Sequence, residues 1–320
     1  MSSKFITVIH SIPSSEALEQ NVLCHYQIGK LQSCRLLKRG LNDTYLVETE
    51  QERYILRVYR YGWRTKDEID FELELLYFLH KNNVAISYPI TKRTGGFTTA
   101  IAAPEGTHYT ALFSYAPGKA VDKKLNSEQS RSLGEAVATI HEVSNNFKSS
   151  FSRLELNSEH LLDASVNAFV KRSLCEIAPL YKHRKTGIDY LYNQAEKLKS
   201  NLIALNLPKY SPCYGICIGD VHSGNTHFTQ LNQPTLFDFD QSGYGWRAFD
   251  IGKFISMCTA WEINSKIIGS FLDGYQTIRQ LSKIELTAIP LFTKIAHIWV
   301  MGISASMVGD VLAYDWFTDD

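Results

Sequence analysis

Residues with strand character are concentrated in the first third of this sequence, whereas helical periodicity dominates the rest. Runs rich in β-branched and aromatic residues are bounded by turn residues at 44–49 (TYLVET), 53–59 (RYILRVY), 97–102 (FTTAIA) and 109–115 (YTALFSY). A first helix is predicted near 15–27, and a longer one lies between the second and third runs, where Thr65 and Glu68 have the spacing of a capping box. The pattern predicts a small antiparallel sheet accompanied by one inserted helix.

The pattern changes at residues 116–120, APGKA, after which helices are predicted at 127–145, 160–176, 187–204, 248–262, 264–280 and 284–310. We therefore expect an α+β, bilobal fold with a β-rich N-lobe at 1–115 and a larger, mainly helical C-lobe at 116–320. Two such lobes joined by a short extended crossover leave a cleft, which is a common place for a small-molecule site.

The composition argues against a polyanionic partner. The 320 residues include 33 Lys plus Arg and 33 Asp plus Glu, so no overall positive field favours nucleic acid or an anionic membrane. The six cysteines lack the paired spacing of a disulfide scaffold, and we find neither a leader sequence nor a long uninterrupted apolar stretch. These features predict a cytoplasmic protein that acts without nucleic acid or membrane. The oligomeric state is left open.

A candidate site is predicted at a hairpin in the second lobe. Residues 225–229 (NTHFT) and 235–239 (TLFDF) have strand character and flank a turn at 230–234. If residue 229 pairs with residue 234, the antiparallel register places Asn225 opposite Asp238. Asp220 precedes Asn225 by five residues, in a loop whose Gly219 and Gly224 let the chain curl back. Three side chains with oxygen atoms are therefore expected to converge.

This combination of residue types is suited to phosphoryl transfer. Magnesium prefers oxygen ligands and often binds through one or two protein groups together with substrate phosphates. In kinase-type transfer one Asp orients the attacking hydroxyl, while an Asn and a second Asp hold the metal. The spacing D-x-x-x-x-N followed by an Asp at the returning strand meets these requirements.

The sequence resembles the aminoglycoside phosphotransferase and choline kinase-like superfamily, whose members are relatives of protein kinases. The segments that carry the resemblance are GDVHSGN at 219–225, LFDFDQSGYGWRAFDIGKF at 236–254, RYILRVY at 53–59, EIDFELELLYFLHKNNVAISYPI at 68–90 and YTALFSYAPGKA at 109–120. They span most of the chain and look closest to the branch of type II homoserine kinases and stress-response kinases. The resemblance implies a protein-kinase-like fold that uses ATP and Mg²⁺ to phosphorylate a hydroxyl of a small molecule.

Roles are carried over position by position from this resemblance. Asp220 would be the catalytic base, and Asn225 and Asp238 would bind magnesium. Arg57 would hold the nucleotide phosphates and pair with Glu72. The remaining positions implied for the nucleotide are the backbone of Ser114 and Ala116, which would meet the adenine, and the phosphate-covering turn that contains Gly40 and Asn42.

Several of these positions have alternative interpretations. Asp240 has either a metal-binding or a loop-stabilising role, and Asp250 is expected to be a helix N-cap. Glu74 competes with Glu72 as the partner of Arg57, because both lie on the same predicted helix. We expect His141 and His222 to be structural.

Two alternative functions follow from the same residues. The first is a protein serine/threonine kinase of the same fold, although the short run from Asp238 to Asp250 leaves little platform for a peptide. The second is a non-catalytic nucleotide-binding protein, suggested by Ile218 at a position where the family commonly has histidine. The retention of Asp220, Asn225 and Asp238 argues against the second alternative.

Overall fold

The computed structural model describes residues 8–175 and 184–307, and they form two compact units. The first unit contains the residues up to His80 together with Ile86–Ala116 and Ser149–Ser152. The second contains Lys81–Ala85, Pro117–Lys148 and the residues from Arg153 onwards. Helices and antiparallel strands are both present, which confirms the α+β class.

The first unit is built around a five-stranded antiparallel sheet with the order β1-β2-β3-β5-β4. Its elements in chain order are α1 (Ser15–Asn21), β1 (Leu31–Lys38), β2 (Asn42–Thr49), β3 (Arg53–Tyr59), α2 (Lys66–Lys81), β4 (Thr98–Ala103) and β5 (Gly106–Ser114). Strand β1 was not predicted. It is an edge strand in which only Cys34 is buried, so its sequence lacks the apolar alternation of a half-buried strand.

The segment that follows α1 covers the sheet with apolar side chains. Helix α1 ends at Asn21, earlier than predicted, and a short 3₁₀ turn over Leu23–His25 continues the chain. Helix α1 contributes Leu18, and the segment after it contributes Val22, Leu23, Tyr26 and Ile28. The same core also contains Cys34, Tyr45, Val47, Tyr54, Leu56, Val58 and Leu112. The hydrophobic effect from this burial fixes the N-terminal segment on the sheet.

The second unit is mainly helical and also contains short strands. Its elements are β6 (Lys119–Ala120), α3 (Ser127–Val143), α4 (Ala164–Cys175), α5 (Arg184–Leu205), β7 (Tyr214–Cys217), β8 (Thr226–Phe228), β9 (Pro234–Leu236), β10 (Gly243–Trp246), α6 (Ala248–Ala260), α7 (Ser265–Ile278) and α8 (Lys283–Met307). Each helix predicted beyond residue 116 is present, and only the predicted ends at 176 and 308–310 lie outside the described residues. Strand β7 pairs with β10, and β8 pairs with both β6 and β9.

Two glycines let helices α3 and α7 approach closely. A Cβ atom at Gly134 of α3 would lie 2.1 Å from the carbonyl oxygen of Phe271, and one at Gly274 of α7 would lie 2.0 Å from that of Arg131. Side chains at either position would force the helices apart.

Helix α8 is long and apolar enough to cross a membrane by length and composition alone. Core helices of soluble proteins meet the same criterion. Phe292, Ile295 and Trp299 of α8 are buried in the second unit.

The register of the β8–β9 hairpin differs from the predicted one by one residue. Phe228 pairs with Pro234 and Thr226 with Leu236, and the N–H of Phe237 donates to the carbonyl of Asn225 at 3.0 Å. Asn225 therefore lies opposite Phe237, and the predicted pairing with Asp238 is wrong. The N–H of Thr229 donates to the carbonyl of Gln233 at 3.1 Å, so residues 230–232, instead of the predicted 230–233, lie between the paired positions. Asn232 makes this shorter turn with a left-handed φ of 56°.

Candidate active site

The loop that carries Asp220 leaves strand β7 and is anchored through its backbone. The N–H groups of Ile218 and Gly219 donate to the two carboxylate oxygens of Asp250 at 2.7 and 2.8 Å. Gly219 has φ of +87°, and a Cβ atom there would lie 2.1 Å from the carbonyl oxygen of Gln241. Glycine is therefore required at the turn that directs Asp220 out of the strand.

Asp250 does not cap its helix, so the prediction for this residue is wrong. Helix α6 begins at Ala248 with Arg247 in the N-cap position, and the Asp250 carboxylate is buried in the first turn. It accepts the two backbone hydrogen bonds of the Asp220 loop. A buried carboxylate needs such donors, and the helix N-terminus further favours its negative charge.

His141 completes the environment of Asp250 from helix α3. Its Nε2 lies 2.9 Å from Asp250 Oδ2, and its Nδ1 lies 2.8 Å from the hydroxyl of Tyr275, which in turn accepts from Arg279 Nη1 at 3.0 Å. Burial lowers the pKa of His141 to about 4 even though the neighbouring Asp250 acts in the opposite direction. The imidazole is thus neutral at pH 7 and has two hydrogen-bonding partners, as expected of a structural histidine.

The carboxylate of Asp220 has polar partners at both oxygens. Lys253 Nζ lies 2.6 Å from Oδ1, and Asn225 Nδ2 donates to Oδ2 at 3.0 Å. His222 Nε2 lies 3.4 Å from Oδ2. The N–H of Gly224 donates to His222 Nδ1 at 3.1 Å, which leaves Nε2 as the protonated nitrogen of a neutral ring.

These partners keep Asp220 ionised. Burial by itself would raise the pKa of the carboxyl group, but the charge of Lys253 and the contact with His222 outweigh burial and hold the pKa well below its usual range. The side chain of Asp220 is 27% exposed to solvent, so a ligand can still reach it. Asp220 is thus a fixed, charged hydrogen-bond acceptor.

Asn225 and Asp238 are the candidate metal ligands. Asn225 Nδ2 donates to the carbonyl as well as to the carboxylate of Asp220, so Oδ1 is the atom of this amide that remains for a cation. Asp238 directly follows Phe237, whose N–H donates to the carbonyl of Asn225. It lies beyond the end of β9 and has a left-handed φ of 64°.

The side-chain oxygens of Asn225 and Asp238 suit a magnesium ion that is bound by few protein ligands. The described residues contain no cluster of three or more His, Cys, Asp or Glu side chains arranged to hold a metal ion. A carboxamide oxygen and one carboxylate nevertheless meet the need of a magnesium ion that takes its other ligands from phosphates and water.

Asp240 is buried close to these residues. Gln241 Nε2 donates to Asp240 Oδ2 at 3.3 Å, and the guanidinium of Arg153 donates to the carbonyls of Asp240 and Ser242. These contacts support the loop-stabilising interpretation of Asp240.

In the first unit Arg57 and Glu72 form the expected ion pair. Arg57 Nη1 donates to Glu72 Oε1 at 2.7 Å, and the hydroxyl of Tyr59 donates to Oε2 at 3.2 Å. The carboxylate of Glu72 is fully buried. Glu74 is not the partner of Arg57 in this pair: its Oε2 accepts from the hydroxyl of Ser149 at 2.6 Å.

The other predicted nucleotide positions lie at two places in the first unit. Gly40 is in the turn between β1 and β2, and Asn42 Oδ1 accepts from the N–H of Arg60 at 3.3 Å. The N–H of Ser114 donates to the carbonyl of Tyr88 at 2.9 Å, and Ala116 is buried just beyond β5. These contacts fix the backbone of the turn and of the segment that follows β5.

Sequence reasoning missed Lys253 and the anchoring role of Asp250. A signal for both was present, because the two residues lie three positions apart, on one face of a helix whose other residues are mostly apolar. A lysine within such a run must pair with an anion when it is buried.

Comparisons with known proteins identify the family. Residues 34–283 match the family described as the phosphotransferase enzyme family. Uncharacterized protein sll1119 of Synechocystis sp. is 40% identical over 295 residues, which cover 92% of this chain and 79% of that protein.

Two solved structures share the fold. Amicoumacin kinase hAmiN in complex with AMP-PNP, Ca²⁺ and Ami has a TM-score of 0.70 at 21% identity, covering 90% of this chain and 86% of its own. The microcompartment-associated aminopropanol kinase has a TM-score of 0.69 at 21% identity, with coverage of 93% and 92%. The predicted protein-kinase-like fold is confirmed, and the chain belongs to the phosphotransferase enzyme family.

Proposed function

We propose that this protein transfers the γ-phosphoryl group of ATP to a hydroxyl group of a small molecule. The observation that carries the proposal is the arrangement around Asp220. Its carboxylate is ionised, partly exposed and held by Lys253 and Asn225 at 2.6 and 3.0 Å. Such a carboxylate orients an attacking hydroxyl without needing to move, and positioning of this kind supplies much of the rate enhancement in phosphoryl transfer.

The acceptor hydroxyl donates its hydrogen bond to Asp220 and passes its proton there as the new oxygen–phosphorus bond forms. At the same time the bond between the γ-phosphorus and the oxygen that bridges it to the β-phosphorus breaks, and ADP leaves with that oxygen. Asp220 has a low proton affinity while Lys253 is beside it, so the proton moves late, when the attacking oxygen has become strongly acidic. Arg57, held by Glu72, balances the negative charge of the nucleotide phosphates.

Asn225 and Asp238 would hold a magnesium ion. When bound, the ion would neutralise charge on the phosphates. The remaining predicted positions, Gly40 with Asn42 and Ser114 with Ala116, would contact the phosphates and the adenine respectively. ATP as the donor also supports the expected cytoplasmic location.

Two features favour a small acceptor over a protein. The structural relatives are named as kinases of amicoumacin and of aminopropanol, which supports an antibiotic or an amino alcohol as the acceptor. The residues after Asp238 fold directly into β10 and α6, which leaves little surface for a peptide substrate.

The test is a screen for ADP release from MgATP. The acceptors are 1-amino-2-propanol, choline, homoserine, amicoumacin, spectinomycin and a generic protein substrate, with water as the blank. We expect acceleration by one class of small alcohol. Acceleration by the protein substrate alone would identify a protein kinase, and MgATP binding without turnover would identify a non-catalytic nucleotide-binding protein.

Two variants assign the roles within this experiment. Asp220→Asn should reduce transfer to a small residual rate while MgATP binding in calorimetry stays within about twofold, because this residue acts on the hydroxyl. Asp238→Ala should weaken MgATP binding. Normal turnover of the first variant, or unchanged affinity of the second, would contradict the assignment.

A further inference from the structure

Lys253 is a buried charge whose role the proposed reaction does not yet include. It lies in helix α6 with 1% of its side chain exposed, and its ammonium group contacts Asp220 Oδ1 at 2.6 Å. Its neighbours along the helix include Ile251 and Phe254, which are buried apolar residues. The ammonium group has therefore been moved out of water and placed directly on the carboxylate of the Asp220 loop.

Helix α6 holds the Asp220 loop at two points. Asp250, in its first turn, accepts from the backbone N–H groups of Ile218 and Gly219, and Lys253 binds the Asp220 side chain one turn later. The first contact fixes the backbone of the loop, and the second fixes the direction of the carboxylate. The two contacts come from the same face of one helix, so they fix the carboxylate relative to one rigid element.

Packing alone does not account for a lysine at this position. A buried ion pair pays a large desolvation cost, and replacement of such pairs by apolar residues of similar volume is often neutral or stabilising. Methionine would fill the same space without that cost. The charge is therefore better explained by what it does to Asp220 than by the stability of the helix.

We infer that Lys253 is a positioning residue, which holds the carboxylate of Asp220 in the orientation that receives the acceptor hydroxyl. The inference rests on the proposed function. With Oδ1 bound by Lys253 and Oδ2 by Asn225, the carboxylate cannot rotate without losing a contact of 2.6 or 3.0 Å. With 1% of its side chain exposed, Lys253 is too buried to contact the acceptor itself. Its effect on the reaction passes through Asp220.

The experiment is a double-mutant cycle on the full chain with Lys253→Met, Asp220→Asn and the double variant. Turnover is measured as ADP release from MgATP with the alcohol that is most active in the screen, or with water where no alcohol is active. We expect Lys253→Met to lower kcat by about 10²-fold, the cost typical of a displaced catalytic group, with the KM for MgATP within about twofold. In the Asp220→Asn background the same change should have no further effect on kcat.

A matched control is Lys199→Met. Lys199 also contacts an aspartate, Asp163, at 2.6 Å, but it is partly exposed and lies in helix α5. This variant should leave kcat and KM unchanged. If Lys253→Met does not fold, Lys253→Gln, which keeps a donor without the charge, takes its place in the cycle.

Thermal unfolding of the same proteins provides a readout that does not depend on activity. Lys253→Met leaves the Asp220 carboxylate without its cation, and Asp220→Asn leaves the buried ammonium group of Lys253 without its anion. The double variant removes both charges, so its loss of stability should be smaller than the sum of the two single losses. Additive losses would overturn the pairing on which the inference depends.

Failure of the inference and failure of the proposed function give different results. A Lys253→Met variant with normal kcat, or one that lowers turnover equally in both backgrounds, would show that Lys253 does not act through Asp220 while the proposed function stands. A wild-type protein that releases no ADP with any acceptor or with water would overturn the proposed function itself. The unfolding cycle would then still report whether the two residues are coupled.

Discussion

The stability of the second unit should depend on pH through His141, and the change that isolates this effect is His141→Gln. The imidazole is buried between Asp250 of α6 and Tyr275 of α7, with Arg247 and Arg279 nearby. Glutamine offers a donor for Asp250 but has no titrating group. Any difference in pH dependence between the two proteins therefore reports the protonation of this one side chain.

The magnitude follows from the two pKa values. Burial lowers the pKa of His141 in the folded protein to about 4, from an ordinary value of 6.5. As the pH falls below 6.5 the unfolded chain takes up a proton that the folded protein does not, so the free energy of unfolding decreases until the pH reaches about 4. At about 1.4 kcal/mol per pKa unit, the wild type loses about 2 kcal/mol more than the variant between about pH 7 and about pH 5.

The assay is urea unfolding at these two pH values, followed by tryptophan fluorescence. His297→Gln is the control, because it removes an exposed imidazole from α8 by the same substitution. We expect the control to keep the wild-type pH dependence and His141→Gln to show a smaller one. Equal losses of stability in wild type and His141→Gln would refute the argument that the folded protein keeps this imidazole neutral.

Two further predictions concern stability. Glu72→Gln should lower the free energy of unfolding by about 3 kcal/mol, because it removes the negative charge from the buried pair with Arg57, whereas Glu74→Gln should cost less than about 1 kcal/mol. Equal losses in urea titrations would show that the pair with Glu72 is not the dominant one. Gly134→Ala should lower stability by about 1–3 kcal/mol through overpacking between α3 and α7. Gly269→Ala, where the added methyl group meets no atom within 4 Å, should stabilise α7 by up to about 1 kcal/mol, and a destabilised control would contradict this reasoning.

Local patterns predicted the elements that bury one clear face. Helix α3 begins at residue 127 as predicted, after a capping box formed by Asn126 and Gln129, and the predicted strand at 53–59 has the observed bounds of β3. The edge strand β1 and the glycine-containing β10 have weak patterns, because edge exposure and missing side chains remove the alternation that identifies a strand. Both are specified by pairing with another strand, β1 with β2 across the turn that contains Gly40 and β10 with the more distant β7, and this pairing is not visible in the strand's own residues.

The candidate site was predictable where it depends on short spacing. Asp220 and Asn225 are five residues apart and form the hydrogen bond that a tight loop allows. The register between Asn225 and Asp238 was wrong by one residue, because the turn, in which Asn232 has a left-handed conformation, is one residue shorter than predicted. Lys253 could not be assigned to Asp220 from spacing alone, since their contact depends on how α6 packs against the loop after β7.

The three-residue interval between Asp250 and Lys253 has a consequence for protein engineering. One residue inserted between them would turn the lysine by about 100° around the helix axis, from about 60° on one side of Asp250 to about 40° on the other, and so away from its direction towards Asp220. Segment exchange with other kinases should therefore transfer 247–254 as an intact block or leave it untouched. Libraries aimed at new acceptors are better placed outside this block, where altered lengths do not disturb the phase of the helix.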